Sequence, residues 1–423
     1  MISKLRAISD DKRRLLGNFF SLSVLQGANY LLPLITLPYL VRVLGPEKFG
    51  LVAFAQAFIG YFIILTNYGF NLSATREISI NRENKEKITE IFSSVITIKF
   101  LLGIISFLIL ILFLTFIPRF GNDRLLYIFT FGMVLGNILF PVWFFQGMER
   151  MKYITILNIV AKGIFTVCIF IFIRKMSDYF YVPLINSMGY LFAGGLSLKI
   201  VLKDFKINFR LPAVKSIKYQ LKESWHIFIS QVAVSLYTIS NVFILGLFTN
   251  NTIVGYYSAA EKLIKAARGL LVPVSQTVYP YISKLVTESK QRALSFIKKL
   301  IILVASGSFV ISLSVFILAV PIVNIILGSQ YQQSIIVLRI LAFLPFIIGL
   351  NNIFGIQTML TFNLKKPFSR ILISAGLLNI TLALILAPCY WHVGISIAVV
   401  VTEIFVTFSM FLYLKKKRIK IFS

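Results

Sequence analysis

The sequence predicts an all-α polytopic membrane protein with twelve transmembrane helices in two bundles of six. Three observations carry this reading. Apolar runs recur along the whole chain, each of about 20 residues, which is enough to cross a hydrocarbon core. Hydrophobic residues fill 58% of the 423 positions and the mean hydropathy is +0.86, more than the core of a soluble domain calls for. Lysine and arginine, finally, crowd onto alternate connections between the runs.

The runs centre near Leu31, Phe58, Ile105, Val134, Thr166, Tyr190, Val234, Leu270, Val310, Ile347, Ala375 and Val401. The basic N-terminus, MISKLRAISDDKRR, leads into a run too long for a signal-peptide core, so the first helix is read as retained. Connections are short except for a polar stretch over 199–223, which divides the helices six and six. The expected organisation is therefore a bundle over 1–200, a basic cytoplasmic linker over 201–224 and a second bundle over 225–423.

Loop charge fixes the orientation. Of 43 Lys and Arg, 31 fall on the side shared by both termini, six on the other side and six inside spans. That asymmetry places both termini in the cytoplasm. It also accounts for the net charge of +28 without a nucleic-acid partner. Cys168 and Cys389 lie in or beside apolar runs, so no disulfide framework is implied. There is no G-x-x-x-x-G-K-[ST] motif, and the two histidines, His226 and His392, stand in different spans without metal-ligand spacing. No acidic motif stands on a long external loop. The expectation is a protein that is not an enzyme and carries no cofactor or metal.

A shift of 205 residues places Gln231 on Gln26, Ala233 on Ala28, Gly255 on Gly50, Ala260 on Ala55 and Glu261 on Gln56. Both halves start in the cytoplasm with an even number of helices, so a repeat would be parallel. Parallel six-helix repeats place a substrate site at their interface.

The eighth span, GYYSAAEKLIKAARGLLVPVSQTVYPYISK (255–284), carries the unusual charge. With Glu261 at zero and about 100° per residue, Lys265 falls near 40°, Lys262 near 100° and Arg268 near −20°. Ser258 and Gln276 fall in the same arc, while Leu263, Ala266, Ala267, Leu270 and Leu271 lie outside it. A charge inside a membrane costs about 2.5–3.5 kcal/mol on insertion scales, so the stripe should face water, protein or an anion. One reading is a surface that binds an anionic ligand. The other pairs Glu261 with Lys265 and lets the remaining cations snorkel.

Other polar residues inside spans are weighed in the same way. Gln26, Asn29 and Pro33 share one face of the first span, as expected beside a cavity or at a hydrogen-bonded helix contact. Lys162 is mid-span without an acid on its own helix, which favours a cavity. Lys99 is within reach of Glu90 and the cytoplasmic face, which favours snorkelling. Arg339 sits close to a helix end and suits an interfacial anchor. Glu403, mid-span in the twelfth helix, either neutralises a basic partner or carries a proton. Glu261 and Glu403 are thus the candidates for ion coupling.

Several segments resemble one family. QGANYLLPLITLPYLVRVLGPEKFGLVAFAQAF (26–58), NYGFNLSATREIS (67–79), PVWFFQGMERMKYIT (141–155), the 255–284 segment and LRILAFLPFIIGLNNIFGIQTML (338–360) are similar to the O-antigen and capsular polysaccharide flippases. These belong to the multidrug/oligosaccharidyl-lipid/polysaccharide exporter superfamily. The resemblance implies two six-helix bundles around a central cavity in the bacterial inner membrane. It implies as substrate an undecaprenyl-diphosphate-linked oligosaccharide repeat unit. The bilayer, a polysaccharide polymerase and a chain-length regulator are the partners it suggests. Lys262, Lys265 and Arg268, with Lys162, Gln26 and Asn29, are the substrate-binding candidates. Residues 15–41 hold no carboxylate, unlike the drug exporters, and no span follows the twelfth, unlike the peptidoglycan-precursor flippases.

Overall fold

The computed structural model describes residues 2–269, 271–417 and 419. Side chains are described from Val24 onward, except those of Tyr30, Ala233, Leu236, Tyr237, Pro273, Gln276, Thr277 and Pro280. Among the described residues all regular structure is helical. Eight helical stretches there are long and apolar enough to cross a membrane, and the protein is a polytopic membrane protein.

Two of those stretches, Val24–Ile80 and Lys365–Lys416, each contain a kink that divides them into two helices. Gly45 adopts φ 66° and ψ 174°, a conformation open to glycine, and Pro46 then starts the next helix where its missing N–H costs nothing. Trp391, three residues after Pro388, takes φ 50° and breaks the second stretch. Tyr68 and Gly69, at φ 44° and 81°, end the helix at Asn67 before Phe70 restarts it.

The chain forms two compact units. The first comprises Met1–Thr36 and Ala55–Val232, the second Leu37–Phe54 and Ala233–Ser423. In the first unit, Trp143, Phe144 and Phe145 are fully buried, and Phe205 packs on Phe144 and Phe145 at centroid distances of 5.1 and 6.2 Å. Phe92 approaches Trp143 and Phe144 at 5.9 Å each. The aromatic-rich 141–155 segment therefore supplies the centre of this unit's core.

The central polar stretch is fastened to the same core. Helix Tyr181–Lys203 ends, residues 206–213 form no helix, and helix Val214–Thr238 begins. Ile207 is buried, the Arg210 N–H donates to Ser93 Oγ at 3.1 Å, and Ser216 Oγ donates to Glu90 at 2.6 Å. Gln220 donates to Glu77 at 2.6 Å, and the hydroxyls of Ser224 and Ser73 meet at 2.7 Å.

Lys99 does not snorkel. It is 1% exposed, and its ammonium donates to Asn67 Oδ1 at 3.1 Å and to the Asn137 carbonyl at 3.0 Å. Glu90 instead holds Lys87 at 2.9 Å. The reason lies four residues beyond Asn137. A helical carbonyl there would accept from residue 141, and Pro141 has no N–H. Lys99 satisfies that orphaned acceptor and ties three helical segments together. Lys99→Met is expected to strand both acceptors and destabilise the protein by about 1–3 kcal/mol, read as a lower Tm in detergent. An unchanged Tm would show that water replaces the ammonium without loss.

In the second unit, Ile282, Ile297, Ile353, Ala375 and Met410 lie in one apolar core. A close backbone approach joins residues 46–50 to the start of helix Asn251–Gly269. A Cβ on Gly50 would collide with the Asn251 carbonyl oxygen, and one on Gly255 would collide with that of Pro46. The 205-residue shift maps Gly50 onto Gly255 and Pro46 onto Asn251, so the contact is reciprocal, as two-fold related segments require.

Candidate functional site

Helix Asn251–Gly269 has one face made for packing. Val254, Tyr257, Ala259 and Ala260 are fully buried, with Ile264 at 1%. The small residues at 255, 259 and 260 let neighbouring backbone come close. The charged arc falls beside this face. Glu261, Lys262 and Arg268 are half-buried and Lys265 is exposed.

Each charge has a distinct setting. Lys265 pairs with Glu261 at 2.8 Å, as the i, i+4 spacing allows. The Lys262 ammonium lies 4.7 Å from the centre of the Phe49 ring, a cation–π contact that holds a cation without cancelling its charge. Arg268 forms no ion pair within 4.0 Å among the described residues, although it acts electrostatically on Glu403. The stripe thus keeps two of its three cations free of a carboxylate contact among the described residues, while its third is paired as the spacing reading expects.

Ser258 belongs to the same arc by angle but is 2% exposed, and its hydroxyl has no hydrogen-bond partner among the described residues. The helix also stops earlier than the sequence projection assumes. It ends at Gly269, and helix Val272–Glu288 follows. Gly269 and Pro273 explain the break, since the one favours helix ends and the other cannot continue a hydrogen-bond ladder. The angular argument therefore holds up to Arg268 and fails for Gln276. The side chain of Gln276, and Leu270 altogether, lie outside the described residues.

In the first unit the structure joins two sequence candidates. Lys162 Nζ donates to Asn29 Oδ1, and Lys162, Asn29 and Gln26 are all half-buried. Lys162 has no carboxylate within ion-pair distance among the described residues. An amide oxygen orients its ammonium and leaves the charge in place.

A polar group in the second unit escaped the sequence reading. Asn351 donates to Glu403 Oε2 at 3.0 Å. Its neighbour Asn352 accepts from Ser275 at 2.8 Å, and Gln357, 1% exposed, donates to the Ser275 hydroxyl and carbonyl at 3.0 Å each. The paired asparagines in LPFIIGLNN, the end of an otherwise apolar helix, were the available signal. Glu403 is thereby held by an amide and is in no ion pair among the described residues, whereas Glu261 is neutralised by Lys265. Arg339 is exposed near the end of helix Ser334–Leu341 and joins neither group.

Residues 15–286 match the family model described as polysaccharide biosynthesis protein. The chain is 37% identical over 412 residues, 97% of its own length and 99% of the relative's, to a putative O-antigen transporter of Escherichia coli (strain K12). In fold it is similar to an inward-facing multidrug resistance MATE family transporter of the MOP superfamily, with TM-score 0.72, 14% identity and coverage of 92% and 94%. It is similar also to the lipid II flippase MurJ in an inward closed conformation, with TM-score 0.69, 14% identity and coverage of 95% and 87%. At that identity the structural likeness speaks for the fold alone.

Proposed function

The chain belongs to the polysaccharide biosynthesis protein family, and from that premise we propose that it is a flippase for lipid-linked glycans. The substrate is an undecaprenyl-diphosphate-linked O-antigen or related repeat unit. It moves from the cytoplasmic to the periplasmic leaflet of the bacterial inner membrane by alternating access, carried by twelve spans in two bundles with both termini in the cytoplasm. The observation that carries this reading is the 37% identity to a putative O-antigen transporter across nearly the whole of both chains.

The chemistry of the candidate residues agrees with it. A diphosphate leaving water needs compensating charge, because an unmatched anion in a low dielectric is very costly. Lys262 and Arg268 supply cations that no carboxylate contact cancels among the described residues. Lys265, with Glu261, orders the same helix face, and Lys162, Asn29 and Gln26 offer a cation and amides to the phosphates and sugars. If transport draws on an ion gradient, Glu403 is the better carrier of the two candidate acids, because Glu261 already has a fixed countercharge.

Deleting the gene is expected to leave the lipid-linked repeat unit synthesised but stranded on the cytoplasmic leaflet, with surface polysaccharide lost. Protease-protected, membrane-impermeant labelling of the glycan in oriented vesicles reads this out. Single repeat units displayed on the surface of the deletion strain would instead mean that translocation is intact and that the protein acts in polymerisation.

A further inference from the structure

The Lys262 ammonium lies over the ring of Phe49, a residue from a distant part of the second unit that the sequence reading did not single out. Phe49 is 3% exposed and directly precedes Gly50. A Cβ on Gly50 would collide with the Asn251 carbonyl oxygen and with the Gly255 nitrogen, so backbone meets backbone there. That approach fixes where the 46–50 segment sits on helix Asn251–Gly269. Lys262 is two turns, about 10 Å, further along the helix than Gly255. Helical side chains lean towards the N-terminus of their helix, so the lysine stem reaches back to the ring.

The ring is itself held firmly. Tyr331, fully buried, crosses it at 83° with centroids 6.4 Å apart, and Tyr256 crosses Tyr331 at 84° and 6.0 Å. The lysine stem is long and flexible, and beside an open arc it would sample many positions. A carboxylate would hold the ammonium but cancel its charge, as Glu261 does for Lys265. An amide oxygen would occupy one of its N–H groups. An aromatic face does neither. It attracts the cation through its quadrupole, and the N–H groups on the far side stay free to donate. The 205-residue shift maps Phe49 onto Val254 and Lys262 onto Ala57, so the ring and the cation occur together at only one of two equivalent places.

We propose that Phe49 is a positioning residue of the substrate site. Its ring holds the Lys262 ammonium at the edge of the charged arc, with N–H groups free for a phosphate oxygen. Phe49 acts through Lys262 and does not itself touch the ligand. The assignment rests on the reading of the arc as a diphosphate site. It adds a consequence which that reading lacks: affinity follows the electron density of a buried ring that the ligand never meets.

The test is binding of undecaprenyl diphosphate, with undecaprenol as the uncharged reference, to the purified full-length protein in detergent. Phe49 is replaced through nonsense suppression by 4-fluoro-, 3,5-difluoro- and 3,4,5-trifluorophenylalanine. Fluorine barely enlarges the ring but withdraws charge from its face, so the attraction falls stepwise at nearly constant packing. The Kd for the diphosphate is expected to rise at each step, by about fivefold to thirtyfold across the series. Tm and undecaprenol binding should stay level. In a Lys262→Met background the same series should be flat. A flat series with Lys262 present, where Lys262→Met alone weakens diphosphate binding, would overturn the positioning role and leave the arc standing. A slope that persists in Lys262→Met would overturn it too, since ring packing would then set the affinity. Unchanged diphosphate binding in a Lys262/Lys265/Arg268 triple alanine variant would overturn the reading of the arc, and the role of Phe49 with it.

Discussion

Arg268→Ala is expected to remove most of the surface polysaccharide that the wild-type gene restores to a deletion strain, at matched membrane levels of protein. Arg268 is half-buried on the charged arc of helix Asn251–Gly269 and is in no ion pair among the described residues. A charge-assisted hydrogen bond contributes about 1.5–3 kcal/mol, so losing one to a diphosphate corresponds to about a tenfold to hundredfold weaker interaction. Arg268→Lys should keep more activity, since charge survives while the planar two-pronged geometry is lost. The Glu261–Lys265 pair makes a sharper comparison possible. Lys265→Ala leaves Glu261 as an uncompensated anion on the arc, so its defect should be partly relieved by adding Glu261→Gln. Full polysaccharide in a Lys262/Lys265/Arg268 triple alanine variant would show that the arc does not bind substrate.

Gly255→Val should be more damaging still, and for a different reason. The added carbon atoms would be driven into the Pro46 carbonyl, which is backbone and cannot swing aside as a side chain can. Overpacking of this kind costs about 1–3 kcal/mol even where side chains can adjust, and a backbone obstacle raises the cost. The expected result is loss of complementation together with a lower Tm and reduced accumulation. Gly163→Ala is the matched control, because nothing lies within 4 Å of a Cβ there. Normal accumulation and Tm in Gly255→Val would mean that the two segments can part without loss of the fold.

What could be read from the sequence and what could not divide along physical lines. Apolar run length identifies helices because that signal is local. The charged arc is local as well, and its Lys265–Glu261 pair follows from spacing alone. Lys99 could not be placed in this way. Its burial depends on a carbonyl freed by Pro141, some forty residues away, and no single-helix pattern contains that fact. The Asn351–Glu403 contact joins helices that are separate in sequence, so Glu403, conspicuous in its span, acquired its amide partner only in three dimensions. The break after Gly269 was legible from Gly269 and Pro273 and was outweighed by the hydrophobicity of the run. For the 205-residue repeat, the Gly50 and Gly255 contacts add geometry to what was a handful of identities.

The connection after Lys203 has one more property, which is parity. Ile207 is buried and Phe209 and Leu211 line an apolar groove, whereas Asn208 and Arg210 between them do not, the i, i+2, i+4 spacing of a stretched chain. The Arg210 N–H on Ser93 pins the register from within. One residue inserted after Ile207 would exchange the two sides, sending arginine toward hydrocarbon and phenylalanine toward water, whereas a second would restore them. Length in this connection is thus constrained modulo two: odd changes invert it, and even changes only lengthen it.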